Sequence, residues 1–285
     1  MRSTIQDSTI RLPAAPARSL RRFATDVVHR YREADGTSHT RALAYQTVFI
    51  MLSGFIGLVG LASVLGLAEI RRTVQHLATS VAPGPSGRLI QEAAQQGASG
   101  GAMVALAGLG AAWISGMFAM AQVQRSADRL VGRGHEQERS GAAKYVRAAM
   151  LAVPVGLLLG LGGVALGAGN SVVEGFALEG TADLVWNGLR WPIGVALVAA
   201  ALLLMMRAAP TAPLGSTRRR AAGAGVALVL WTIFTALLSL YFAVSTTTTR
   251  TYGPLLAVVA LVLWSGLTSL ALHIGIATTA ELERS

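Results

Sequence analysis

"SHTRALAYQTVFIMLSGFIGLVGLASVLG" occupies residues 38–66, and its reading decides the fold. It begins polar and then runs apolar from Leu43 onward. About 20 residues rising 1.5 Å each cross a hydrocarbon core of roughly 30 Å, so such a run reads as a transmembrane helix. Yet it carries Tyr45, Gln46 and three glycines, Gly54, Gly57 and Gly60, which a plain anchor does not need. Residues three apart drift slowly around a helix, so these glycines form a slanting shallow groove. Small residues in such a groove let a neighbouring helix approach closely.

The rest of the chain repeats the pattern. Of its 285 residues 53% are hydrophobic and 13% charged, about half the charged share of an ordinary soluble domain. The apolar residues gather in six blocks, near 43–67, 101–121, 146–168, 190–209, 223–243 and 253–276. The sequence therefore predicts an all-α integral membrane protein with a single six-helix domain over residues 20–284. Residues 1–19, with Pro13 and Pro16 and no apolar core, read as a disordered tail and not as a signal peptide. With no cysteine, the chain offers no disulfide, thiolate metal site or cysteine nucleophile.

The net charge of +10 has a topological reading. Nineteen of the 24 basic residues flank one side of the six spans. Arg71, Arg72, Arg88, Arg190 and Arg250 flank the other. Basic residues accumulate on the cytoplasmic side, so both termini are expected there, and the basic excess points to anionic lipid headgroups and not to nucleic acid. Before the first span, Leu20, Phe23, Val27 and Tyr31 recur at helical spacing among arginines. This basic amphipathic helix suits the inner-leaflet interface; docking on the ends of its own bundle satisfies the pattern equally. Short external helices are expected within 69–97, restarting after "APGPSG" with Ser86 as a cap, and again from Thr181 to Leu189.

Little chemistry is visible. The five histidines, His29, His39, His76, His135 and His273, are scattered along the chain. They lack the clustered carboxylates that a metal nuclease needs. No phosphate-binding loop ending in Lys occurs. The reading is a non-enzyme with no cofactor and no metal. His273, near the inner end of span six, reads as a structural or snorkelling residue. Arg41, Tyr45 and Gln46 form a candidate polar inner rim. They serve either as interhelical hydrogen-bonding groups or as the lip of an inward-facing cavity where a headgroup docks. Gly156-to-Gly160 and Gly163-to-Gly167 are small-xxx-small pairs on span three. With the span-one glycines they predict that spans one and three form the crowded centre of the bundle.

Several segments carry a family resemblance. "RALAYQTVF" (41–49), "SADRLVG" (126–132), "RAAGAGVALVLW" (220–231) and "TYGPLLAVVALVLWSGLTSLALHIGIATTAELE" (251–283) resemble the YihY/BrkB family of bacterial inner-membrane proteins, historically mislabelled ribonuclease BN. Tyr252, Gly253 and Trp264 belong to the most specific of these pieces. The chain departs from the family pattern at Gln46, where a second tyrosine is usual, and at Asp128, where an asparagine is common. It departs again at Ala277 and Thr279, so no role of the glutamate usual near Ala277 carries over. The resemblance implies a six-span protein of the bacterial cytoplasmic membrane with a role in envelope integrity, serum resistance or transport of lipid or lipopolysaccharide precursors. The expected function is a transporter of a lipid-like or amphipathic envelope solute without its own nucleotide hydrolysis. The alternative is a structural scaffold that binds envelope proteins through the external helices.

Overall fold

The computed structural model describes residues 20–68, 71–72, 85–132, 141–167, 181–208, 210, 214–244 and 253–284. The tail 1–19, most of the first external helix at 69–84, the loop with His135, and Tyr252 lie outside the described residues. Among the described residues eight helices follow one another: α1 (Leu20–Glu33), α2 (Gly36–Val64), α3 (Ser86–Ser99), α4 (Gly101–Leu130), α5 (Ala142–Gly167), α6 (Thr181–Ala208), α7 (Thr217–Val244) and α8 (Gly253–Arg284). All but α1 and α3 are long and apolar enough to span a bilayer, which makes six spans. An even number of crossings brings α1 and the end of α8 to the same side, which we call the terminal face.

Each span packs on the next in sequence, and α8 closes the ring against α2. The most buried span is α8, which also touches α1, α3 and α4. Close backbone approach makes these contacts. A Cβ placed on Gly57 of α2 would sit 2.5 Å from the Leu109 amide nitrogen of α4, and one on Gly108 would sit 2.6 Å from the Gly57 nitrogen. Gly60 faces Ala105 of α4 and the Gly97 carbonyl of α3. Gly275 of α8 meets the Gly223 carbonyl of α7, and Gly162 of α5 meets Gly194 of α6.

The expected pairing of spans one and three is therefore corrected. α4 stands between α2 and α5. Gly156 and Gly160 are exposed, and a Cβ on either meets nothing within 4 Å. The packing glycine of span three is Gly162, one residue before Gly163. Gly167 is the last residue of α5. A small-xxx-small spacing shows that a close approach is available, but not which helix takes it.

Several boundaries also differ from the hydropathy reading. α2 begins at Gly36, α4 runs on to Leu130 and α8 to Arg284, beyond the ends of their apolar stretches. Helical hydrogen bonding continues past the point where the side chains stop being greasy. The separate external helix expected at 181–189 is the first part of α6, and Pro192 lies inside that helix without ending it. Ser86 is the first helical residue of α3 and not its cap. α3 lays Ile90 and Ala94 against Phe55 and Val59 of α2 and Leu261 and Trp264 of α8.

Helix α1 docks on the bundle, chiefly against α8. Val27 and Tyr31 are buried, while Leu20 stays exposed. Asp35, in the left-handed region at φ 53°, turns the chain from α1 into α2 and accepts a hydrogen bond from Ser38. Asp is among the few residues that visit this region at modest cost. Arg30 completes the docking. Its Nε and Nη2 donate to one carboxylate oxygen of Glu281 at 3.0 and 2.7 Å, and its Nη1 donates to the Leu130 carbonyl at 2.9 Å. One guanidinium thus ties α1 to the ends of α4 and α8.

Two measurements check this packing. Gly57→Ala is expected to lower thermal stability in detergent by about 1–3 kcal/mol, as overpacking does, whereas Gly160→Leu leaves the melting temperature unchanged. The Arg30–Glu281 pair is only 11% and 8% exposed. Glu281→Gln strands a buried cation and is expected to cost about 3–5 kcal/mol, whereas replacing both partners with Met is expected to recover most of that loss. Equal losses in the single and double variants would show that the pair is not the clamp.

Candidate functional site

The helical extensions past the apolar stretches assemble a buried polar layer near the terminal face. α2 contributes His39 and Thr40, both buried, followed on the inward side by Leu43 and Ala44. α4 contributes Gln122, Gln124, Ser126 and Asp128, all buried in the last two turns of that helix. α8 contributes His273, fully buried, with Ser269 and Ser265 one and two turns back on the same face. α1 covers the layer with Tyr31.

Two hydrogen-bonded chains run through it. In the first, the Tyr31 hydroxyl and Thr40 Oγ1 are 2.9 Å apart, and Thr40 Oγ1 lies 3.4 Å from His273 Nδ1. The same ring nitrogen is 2.7 Å from the Ser269 carbonyl. In the second, Arg125 donates from Nε and Nη2 to Gln122 Oε1 at 3.2 and 2.6 Å, and Gln122 Nε2 donates to His39 Nδ1 at 2.6 Å. Several buried atoms lack a protein partner among the described residues: Nε2 of His273, the hydroxyls of Ser265, Thr268 and Ser269, and Nε2 of Gln124. Buried polar groups without partners are costly, and in membrane proteins they mark the paths that polar species take. His273 does not snorkel: it is fully buried and meets Thr40 of α2.

The candidate rim fares differently. Arg41 and Tyr45 are exposed, one turn apart on the face that also carries exposed Phe49. Gln46 is half-buried. Thr40, Leu43 and Ala44 are the residues of this stretch that turn inward. Gly54 makes only an ordinary contact with Ala112, whereas Gly57 and Gly60 are tightly packed. Gly253 opens α8. Trp264 is buried and donates from its indole nitrogen to Thr235 of α7 at 3.2 Å, linking spans five and six.

The polar layer was partly readable in the sequence. Ser265, Ser269 and His273 stand at i, i+4 and i+8, a polar stripe on one helical face. "QVQRSAD" (122–128) continues span two in helical register. What no spacing shows is that His39, 83 residues from Gln122 along the chain, meets it inside the bundle. Among the described residues no three His, Asp or Glu side chains converge as metal ligands.

An apolar cleft of about 260 Å³ lies away from this layer, between α5, α6 and α7. It is lined by Leu166, Val195, Val198, Leu228, Trp231 and Thr232, among others. Val195 and Thr232 are also exposed on the outer surface of the bundle, so the cleft opens sideways.

Comparison with known proteins bears on all of this architecture at once. Neither the curated proteins nor the solved structures yield a match to the chain. The family model described as "Virulence factor BrkB" matches residues 27–285. That region opens at Val27, the first buried residue of α1, and takes in every span, the docking arginine and the polar layer. Built as six apolar helices on that pattern, the chain is a multi-pass membrane protein that belongs to the BrkB family.

Proposed function

We propose that the protein is a transporter of the bacterial cytoplasmic membrane that handles a lipid-like or amphipathic envelope solute without hydrolysing nucleotide itself. The observation that carries this reading is the sideways-open apolar cleft and the position of its walls. α6 and α7 wall the cleft and run from it to the terminal face, where Arg207, Arg218 and Arg219 are exposed. Nine residues separate Val198 from Arg207 and Leu228 from Arg219, about 14 Å along each helix. That is close to half of a roughly 30 Å hydrocarbon core, the depth of one leaflet. An acyl chain laid in the cleft therefore leaves an anionic headgroup level with the arginines.

The basic rim also favours a cytoplasmic terminal face, since arginine-rich loops stay on that side. The scaffold reading has less support. α3 spends its apolar residues on its own bundle, which leaves Gln91, Glu92 and Gln95 exposed as the surface for an envelope partner.

Proteoliposomes containing a fluorescent anionic lipid analogue test the reading by its movement between leaflets. Wild-type protein is expected to speed that movement. Val198→Trp, which fills the cleft, and Arg218→Gln with Arg219→Gln, which weaken the rim, are expected to remove most of the gain. Movement no faster than in empty vesicles, or unchanged by filling the cleft of a folded variant, overturns it. For orientation, reporters fused after residues 35, 135, 215 and 283 are expected to read cytoplasm, and those after 85, 180 and 248 the outside. One sustained inversion breaks the assignment.

A further inference from the structure

The polar layer contains a nitrogen that neither helix packing nor the cleft accounts for. A carbonyl oxygen only accepts, so the 2.7 Å contact from His273 Nδ1 to the Ser269 carbonyl places the proton of the neutral ring on Nδ1. Nε2 is then a bare lone pair, fully buried, with no hydrogen-bond partner among the described residues. His39 is held the opposite way. Arg125 occupies Gln122 Oε1, which turns the amide nitrogen toward His39 Nδ1 and leaves the imidazole proton on its Nε2. Two buried histidines on facing helices are thus fixed in opposite tautomers by groups that keep their own protons. A merely structural histidine would use both of its nitrogens.

We infer that Nε2 of His273 is a proton-binding site inside the bundle, and that its occupancy couples solute movement to a proton gradient. The coupling rests on the transport reading; the binding does not. In the binding step a hydronium ion gives its proton to the Nε2 lone pair. An O–H bond breaks, an N–H bond forms, and water is left beside an imidazolium whose Nδ1–H stays on the Ser269 carbonyl. Release reverses the step: the N–H bond at Nε2 breaks, the proton returns to a water molecule, and the ring is neutral again with its proton on Nδ1 against the Ser269 carbonyl. The charged and titratable groups on the elements packed around His273 are Arg30 and Tyr31 of α1, His39 and Arg41 of α2, Arg125 and Asp128 of α4 and Arg220 of α7, with Glu281 on α8 itself. Arg30 neutralises Glu281. α3 carries Arg88 and Glu92, both exposed, and packs on the half of α8 around Leu261.

Proton uptake by the purified full-length protein in detergent tests the site. Acidified from about pH 8 to about pH 3, wild type is expected to take up more protons per chain than His273→Gln, the difference approaching about one. Equal uptake overturns the site. Should that variant fail to fold, ¹⁵N-histidine spectra of the wild type answer the same question. The ring whose signals respond to Thr40→Val is His273, and its Nε2 is expected to change from lone-pair to N–H character over that range. A ring that stays neutral throughout overturns the proposal. In proteoliposomes an imposed pH gradient is expected to change the rate of lipid movement, and His273→Gln to lose that dependence. Movement indifferent to the gradient, with uptake intact, overturns the coupling and leaves the site standing. Absence of movement under every condition overturns the transport reading, and with it the coupling.

Discussion

Hydrocarbon gives two helices no hydrophobic reason to associate, since a lipid tail is as apolar as a leucine. A membrane bundle therefore depends on surfaces where backbones can meet more closely than side chains allow. In this protein the governing contact is the reciprocal seating of Gly57 and Gly108, where the backbones of α2 and α4 touch without side chains between them. Gly60 against Ala105 and Gly97 extends that contact onto α3. Gly223 and Gly275 do the same for α7 and α8, and Gly162 and Gly194 for α5 and α6. Dispersion at such short range, together with a few interhelical hydrogen bonds worth on the order of 1 kcal/mol each, replaces the solvent-driven burial of a soluble core.

Once those approaches are set, α8 becomes the axis. Its position against α1, α2, α3, α4 and α7 buries polar groups that elsewhere would be solvated. Thr279 shows how tight this is, since a Cβ on Gly223 would collide with its hydroxyl. Further along the same helix the packing encloses His273 and the serines before it. Arg30 seals the end, and the pairing with Glu281 compensates a charge that burial would otherwise make expensive. The helix that closes the ring also carries the fully buried His273.

The cleft and the polar layer lie in different parts of the ring. The cleft is walled by α5, α6 and α7, and the polar layer is built from α1, α2, α4 and α8. α7, one wall of the cleft, is bound to α8 through the Gly223–Gly275 approach and the Trp264–Thr235 hydrogen bond. His273 sits on that same α8, on its buried side. The family match covers both regions and the helices that join them.

Sequence by itself determined the class of molecule, the number of spans and the family. Each depends on local quantities: the length of an apolar run, the composition of a loop, or a motif such as "TYGPLLAVVALVLW". It also singled out Gly57 and Gly60 as packing residues, because a glycine groove can be read from spacing alone. Only the tertiary structure decided which helix fills a groove, and so moved the close approach on span three from Gly160 to Gly162. It likewise carried α4 and α8 past their apolar ends, because hydropathy marks where the bilayer stops and not where hydrogen bonding does. Tyr45 and Gln46 looked like the polar site because they interrupt an apolar run. The residues that matter more, His39 and His273, are 234 positions apart. A site made by contacts between distant segments leaves no local signal, so nothing short of the folded bundle could have paired them.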